Sequence, residues 1–195
     1  LTEYLDDPYD TFAAWMAEAK QGEPTDPNAM TLATSTPDGR PSARIVLLKE
    51  WDRQGFVFYT NLESRKSKEI YNNPNVALLF HWKSLLRQIR IEGKVTAVSD
   101  AQADAYFAGR PRLSRIGAWA SAQSRPLPDR ATFEADFAAA DARFPGETTP
   151  RPPFWSGWRV TPEIFEFWQD QEFRLHDRIV FTPAGSAWRQ SRLYP

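Results

Sequence analysis

The stretch QIRIEGKVTAV, residues 88–98, decides the fold class. Ile89, Ile91 and Val95 fall on one side of an extended chain, and Arg90, Glu92 and Lys94 on the other. Side chains alternate across a strand, so one face is apolar and the other is wet. A single wet face belongs to antiparallel sheets, whereas all-parallel sheets are covered on both faces.

Working outward, Val76–Trp82 reads as a buried strand upstream, and Phe56–Tyr59 as another after a turn at Asp52–Gly55. The turn Thr36-Pro37-Asp38-Gly39 separates Met30–Ser35 from Ala43–Leu48, which predicts a hairpin. Downstream, strand patterns recur at Arg159–Thr161, Ile164–Gln169, Ile179–Thr182 and Trp188–Leu193.

Helical patterns are fewer. Asp10–Gln21 carries Phe12, Trp15, Met16 and Ala19 on one stripe. Ser64 can cap a helix that stops at Asn72-Asn73-Pro74. Ser99 and Gln102 open a short helix to about Phe107, and Asp129–Phe144 lines up Phe133, Phe137, Ala140 and Phe144. The Pro-rich segment Pro145–Pro153 reads as a loop. About seven or eight strands joined by short turns, with a few helices between, predict a mainly β protein. The expected architecture is an antiparallel β-barrel with peripheral helices, built as a single domain over residues 1–195. Strands and helices do not alternate, which disfavours a doubly wound parallel sheet.

Composition narrows the function classes. The 195 residues carry 24 Lys plus Arg against 25 Asp plus Glu, and this balance argues against a general nucleic-acid binder. The absence of cysteine removes disulfides, thiolate metal sites and a Cys nucleophile, and a count of only two histidines argues against a multi-His metal centre. No run is long and apolar enough to span a membrane, and nothing near Leu1 has the make-up of a signal peptide. A cytoplasmic protein with no membrane partner is the default expectation.

Cations nevertheless gather in three places. Arg65, Lys66 and Lys68 crowd the first turn of the helix after Ser64, where the macrodipole favours acids. Arg44 and Lys49 bracket the neighbouring strand RIVLLK. A phosphate at that helix N-terminus would make every one of these charges favourable; a solvated basic face paired with Glu63 and Glu69 fits the residues too. The second group is Arg110, Arg112 and Arg115 in GRPRLSRIG, with Ser114 among them and Tyr106 upstream. Pro111 predicts a turn here, and guanidinium forks suit a phosphate or carboxylate, although surface arginines are an equal reading. The third is RLHDR, 174–178. If extended, it puts Arg174, His176 and Arg178 on one face. That arrangement is costly unless an anion or electron-rich ring lies opposite. His81, between Phe80 and Trp82, lacks such company and reads as structural.

Taken together, RIVLLK at 44–49, FYTNLESRK at 58–66, YFAGRPRLSRIGAW at 106–119, FWQ…RLHDR at 167–178 and the terminal RLYP resemble the pyridoxamine 5'-phosphate oxidase family. The motifs recur in family order from about Phe12 to Pro195. The resemblance implies an FMN-binding split β-barrel that forms a homodimer, with a helical N-terminal segment at about 10–21 and a C-terminal dimerisation region at about 150–195. By motif, FMN would be held by Arg44, Ile45, Val46, Leu47, Leu48, Lys49, Tyr59, Thr60, Arg65, Lys66, Gln88, Gln123, Ser124, Trp168 and Arg178. Substrate would meet Lys49, Tyr106, Arg110 and Ser114 around its phosphate, with the catalytic pair Arg174 and His176 near its ring. Because both chains build such sites, these residues need not converge within one protomer.

The implied reaction oxidises pyridoxamine 5'-phosphate or pyridoxine 5'-phosphate to pyridoxal 5'-phosphate, with O2 as acceptor and H2O2 as product. A hydride passes from the substrate's C4' carbon to the flavin, and an imine formed from the amine is hydrolysed. Asp170, Ser156 and Arg125 depart from the family pattern, the first two standing where Gly is frequent and the third where Ser is usual. Two other readings compete: a split-barrel flavin-binding or flavin reductase-like protein that is not an oxidase, and a nucleic-acid-binding barrel.

Overall fold

The computed structural model describes residues 4–195, and the reading of the chain around Leu1 lies outside the described residues. The opening stretch forms strand β6 (Arg87–Ala97), with Ile89, Ile91 and Val95 buried as the alternation requires. It is central to the sheet: β5 (Asn75–Trp82) pairs with it on one side and β7 (Trp155–Gln169) on the other, both antiparallel. Beyond β5 come β1 (Ala29–Ser35) and β2 (Pro41–Leu47), the expected hairpin, turned through Gly39 at φ 86°. Beyond β7 lie β4 (Gly55–Asn61) and β3 (Glu50–Asp52). β3 falls in a segment whose sequence suggested only a strand end and a turn.

The two strands expected at 159–161 and 164–169 are one continuous β7. Pro162, which cannot donate a ladder hydrogen bond, sits opposite Gly93 where the β6–β7 register shifts. A side chain at Gly93 would be impossible without movement, because its Cβ would lie 2.1 Å from the Thr161 carbonyl oxygen. Glycine therefore lets the ladder run past the proline. The length of β7 then divides the sheet: residues 155–160 pair with β4, while residues 165–169 pair with β8 (Asp177–Ala184). β9 (Ala187–Leu193) completes that second wing on β8. The result is the mainly antiparallel half-barrel that the patterning predicts.

Helix α1 (Pro8–Gly22) covers one face. Asp7 caps it by accepting from Tyr9 N–H, and Pro8 occupies the first turn, where no donor is lost. Phe12 meets Phe56 and Phe80 edge-on at 4.8 and 5.4 Å, and Trp15 meets Phe167 at 5.2 Å. Phe12, Trp15 and Ala19 are buried, so the sequence stripe is the core-facing side. Helices α2 (Arg65–Asn72) and α3 (Asp100–Ala108) begin at Ser64 and Ser99, whose hydroxyls accept from Ser67 and Gln102 N–H. α5 (Arg130–Arg143) is capped by Asp129 and buries no residue fully.

The turn expected at Pro111 is present, since α3 stops at Ala108 and residues 109–111 are not helical. What the sequence did not suggest is that α4 (Arg112–Ala120) follows at once, the Pro111 carbonyl accepting from Ser114 and Arg115 N–H. Proline bars helix from the residue before it, but its own fixed φ, −51° here, suits a helix start, where its missing N–H costs nothing. His81 is not a packed structural histidine: it is exposed on β5.

Candidate active site

A cleft of about 1220 Å³ opens between β2, β4 and the α3–α4 region. Its walls include Arg44, Ile45, Val46, Leu47, Lys49, Tyr59, Thr60, Arg65, Lys66, Tyr106, Arg110, Ser114, Gln123 and Ser124. Fourteen residues separated by up to eighty positions thus come to one place.

The α2 end of the cleft answers the charge problem of its first turn. Lys66 turns inward and is almost fully buried. Its Nζ donates to Thr60 Oγ1 at 3.0 Å, Ser64 Oγ at 3.3 Å and Gln123 Oε1 at 2.8 Å. Those partners are neutral, and among the described residues no carboxylate pairs with the ammonium. Burial, and then the nearby Arg44 charge, push Lys66 down to about 8. A buried cation with uncharged partners lacks its counter-charge, and the N–H groups opening α2 add to the same positive field.

Arg65 and Arg44 are held differently. Both reach Glu69, Arg65 Nε at 2.8 Å and Arg44 Nη2 at 3.4 Å. Glu69 also accepts from Thr34 and Ser42 hydroxyls at 2.5 and 2.6 Å. Burial alone would raise this carboxyl, but those hydroxyls and Arg65 hold it down at about 2. Arg44 is further fixed to Leu32 O and Thr34 Oγ1. Lys68 points to solvent. The basic-face reading is therefore true of Lys68 and of the Arg65–Glu69 pair, while Glu63 pairs with Arg125 instead.

The other end of the cleft is aromatic. Tyr59 and Tyr106 stack with centroids 3.9 Å apart and planes 2° apart, and Trp155 lies parallel at 5.5 Å from Tyr59. Tyr59 donates to Glu50 at 2.7 Å, and Gln102 donates to the other Glu50 oxygen at 2.7 Å. Burial and Glu50 together raise the Tyr59 phenol, so it stays protonated. Arg110 lies 4.7 Å over the Trp155 ring, and its Nη1 is buried with no hydrogen-bond partner. Arg110 lines the cleft, and a guanidinium with an unsatisfied N–H is a ready hydrogen-bond donor to an anion. Ser114 joins it one turn into α4. Arg112 and Arg115 do not: α4 turns them to the Gly146, Phe144 and Glu147 carbonyls, where they fasten the loop after α5. The three arginines are a cluster only in sequence.

Several expected residues lie outside the cleft. Leu48 is a core residue at 5 % exposure, and its backbone is spent on Asn28 in both directions. Gln88, Trp168 and Arg178 stand abreast on β6, β7 and β8. Arg178 is tied to Glu166 at 2.7 Å and to the Tyr194 carbonyl at 3.1 Å. Next to them, Arg174 and His176 are not on one face of an extended strand. A 3-10 turn (Glu172–Arg174) intervenes, with Phe173 and Arg174 in left-handed conformations at φ 57° and 63°. Arg174 is exposed, with no hydrogen bond or ion pair to the described residues. His176 packs 4.6 Å from the Trp168 ring.

The protomer thus presents two groups: an anion-seeking cleft, and a separate Gln88–Trp168–Arg178 row edged by Arg174 and His176. Sequence reasoning named Glu69 as a partner of the basic turn but missed Glu50 and Trp155, which nothing marked apart from their neighbours.

Comparison with known proteins fits these observations. The profile described as pyridoxamine 5'-phosphate oxidase matches residues 16–144, and that of the pyridoxine 5'-phosphate oxidase C-terminal dimerisation region matches residues 155–195. The chain is 63 % identical over 189 residues to the pyridoxine/pyridoxamine 5'-phosphate oxidase of Gluconobacter oxydans (strain 621H), covering 97 % of this chain and 94 % of the relative. It is 64 % identical over 190 residues to the protein of that name from Sphingopyxis alaskensis, covering 97 % and 88 %. Among solved structures, PhzG from Burkholderia lata 383, in complex with tetrahydrophenazine-1-carboxylic acid, superposes with a TM-score of 0.92 at 32 % identity, covering 99 % and 95 % of the two chains. An FMN-binding protein from Nostoc punctiforme PCC 73102 shares the fold, with a TM-score of 0.77 at 16 % identity over 99 % of this chain and 100 % of that one. On the extent of these matches, the chain belongs to the pyridoxamine 5'-phosphate oxidase family.

Proposed function

We propose that the chain oxidises pyridoxamine 5'-phosphate and pyridoxine 5'-phosphate to pyridoxal 5'-phosphate, with FMN as resident cofactor, O2 as acceptor and H2O2 as product. The observation that carries this reading is that one cleft is lined by two cations withdrawn from solvent and without a carboxylate partner among the described residues: the ammonium of Lys66 and the guanidinium of Arg110. Two phosphates, one on the cofactor and one on the substrate, match two such groups.

Lys66, Arg65, Thr60, Gln123 and the α2 N-terminus would grip the FMN phosphate, with Glu69 aiming Arg65 and Arg44. Lys49, Tyr106, Arg110 and Ser114 would take the substrate phosphate, the Tyr59–Tyr106 stack fixing that end of the cleft. Bound FMN supplies the hydride acceptor and passes the electrons to O2. The row Gln88–Trp168–Arg178, with Arg174 and His176, would be brought to a cleft by a second protomer in a homodimer. There Arg174 orients substrate and stabilises negative charge; a guanidinium that stays ionised is a poor base. His176 adds a polar contact to the substrate ring.

Purified protein given FMN should turn yellow, and pyridoxamine 5'-phosphate should then yield aldehyde and H2O2 in equal amounts. Arg174→Ala should lower kcat by about 100-fold, the scale of losing a positioning group, while FMN content is unchanged. Protein that never takes up FMN would end the oxidase reading. A flavoprotein giving no peroxide with either substrate would favour the reductase-like alternative. An Arg174→Ala variant that turns over normally but sheds flavin would overturn the site assignment.

A further inference from the structure

The segment between β7 and β8 contains an acid–imidazole contact that the site as described does not use. Asp170 Oδ1 lies 2.8 Å from His176 Nδ1. Backbone N–H of Gln171 approaches the same nitrogen at 3.3 Å. These two contacts demand opposite things of Nδ1. An ionised carboxylate only accepts, so the Asp170 contact needs a proton on Nδ1; the Gln171 N–H needs a lone pair there. The Asp170 carboxylate is the closer of the two, and its negative charge beside Nδ1 favours the proton on that nitrogen electrostatically.

Asp170 is itself firmly placed. Its N–H donates to Leu86 O at 2.9 Å, and the preceding Gln169 accepts from Arg87 Nε at 2.7 Å. His176 is packed on Trp168, and its Nε2 has no hydrogen bond among the described residues. The Asp170–His176 contact also closes the loop that carries Arg174 in its left-handed turn.

We propose that Asp170 is a positioning residue that sets the tautomer of His176, keeping the proton on Nδ1 and leaving the Nε2 lone pair free toward substrate. The role of Nε2 toward substrate rests on the oxidase reading above, whereas the tautomer does not. With Asp170 removed, the Gln171 N–H becomes the only partner of Nδ1, and the proton moves to Nε2.

The chain has only two histidines, so 15N-histidine spectra of the full protein can be assigned with a His81→Gln variant. In alkaline buffer, where imidazole is neutral, wild type should show the Nδ1–H form. Asp170→Ala should shift the tautomer ratio toward Nε2–H by about tenfold or more, the scale of losing a hydrogen bond to a charged group. Asp170→Asn, which keeps an acceptor oxygen, should restore the Nδ1–H form. An unchanged near-ultraviolet circular dichroism spectrum, set by the buried aromatic core, reports that the variants are folded. Wild type already in the Nε2–H form, or an Asp170→Ala spectrum identical to wild type, overturns the proposal. Absence of turnover in wild type would count against the oxidase reading alone, since the tautomer is read without substrate.

Discussion

Lys66 holds a positive charge in a place where burial opposes it, and that conflict makes the residue testable. Its folded-state value is about 8, against an ordinary 10.5. Between those values the unfolded chain binds more protons than the folded one, so the stability cost of this lysine shrinks as pH rises. Anion binding runs the other way. The ammonium is intact below about pH 8 and is lost above it, and an anion bound beside it holds the proton more tightly. FMN affinity, measured by quenching of flavin fluorescence, is therefore expected to be flat from about pH 7, above the second ionisation of a phosphate monoester near 6, to about pH 8 and to weaken above it. Lys66→Gln should bind FMN about tenfold or more weakly near neutrality, the scale of one hydrogen bond to a charged group, and should lose the alkaline decline. Glu69 gives the contrasting case of a buried acid supplied with Arg65, Arg44 and two hydroxyls. Its carboxyl is held low and needs no ligand to complete it.

At the scale of elements, the sheet depends on how β6 and β7 pass the irregularity at Gly93 and Pro162. A Cβ at Gly93 would be forced onto the Thr161 carbonyl, a backbone group that cannot swing aside. Gly93→Ala is therefore expected to cost about 2 kcal/mol or more, within the range for overpacking a tight interior. Urea unfolding measures this against Gly109→Ala, whose Cβ meets nothing closer than 3.6 Å and should change little. The elements also show what sequence could and could not reveal. The alternation of β6, the stripe of α1 and the caps Ser64, Ser99 and Asp129 are local signals, and each produced the expected element. α4 was hidden because Pro111 reads equally as a turn and as the start of a helix. The turn at Phe173 and Arg174 was hidden because neither residue is one that favours left-handed backbone. The site divides in the same way. The residues of the cleft were legible as motifs, but the separation of Leu48 into the core and of Arg112 and Arg115 onto backbone carbonyls follows from tertiary packing.

At the scale of the whole molecule, the two groups of candidate residues lie apart within one protomer. The edge that carries the second group is rich in exposed apolar side chains: Phe173 is 88 % exposed and Leu175 66 %. Tyr194, beside the Arg178 guanidinium through its carbonyl, is 94 % exposed. Such surface favours association, and the match to a dimerisation region spans residues 155–195. In a two-fold dimer each site would take its cleft from one protomer and its Arg174 from the other. Lys66→Ala and Arg174→Ala then damage opposite halves of the site. A heterodimer of the two variants contains one site with both defects and one with neither. Random reassortment makes half of all dimers heterodimers, so a mixture of the two variants, at an FMN concentration too low to fill the Lys66→Ala cleft, should recover about a quarter of wild-type turnover. The measurement is peroxide formation after mild dissociation and remixing, with each variant alone treated identically. No recovery, with heterodimers demonstrated by mass, would mean that each protomer builds its site alone.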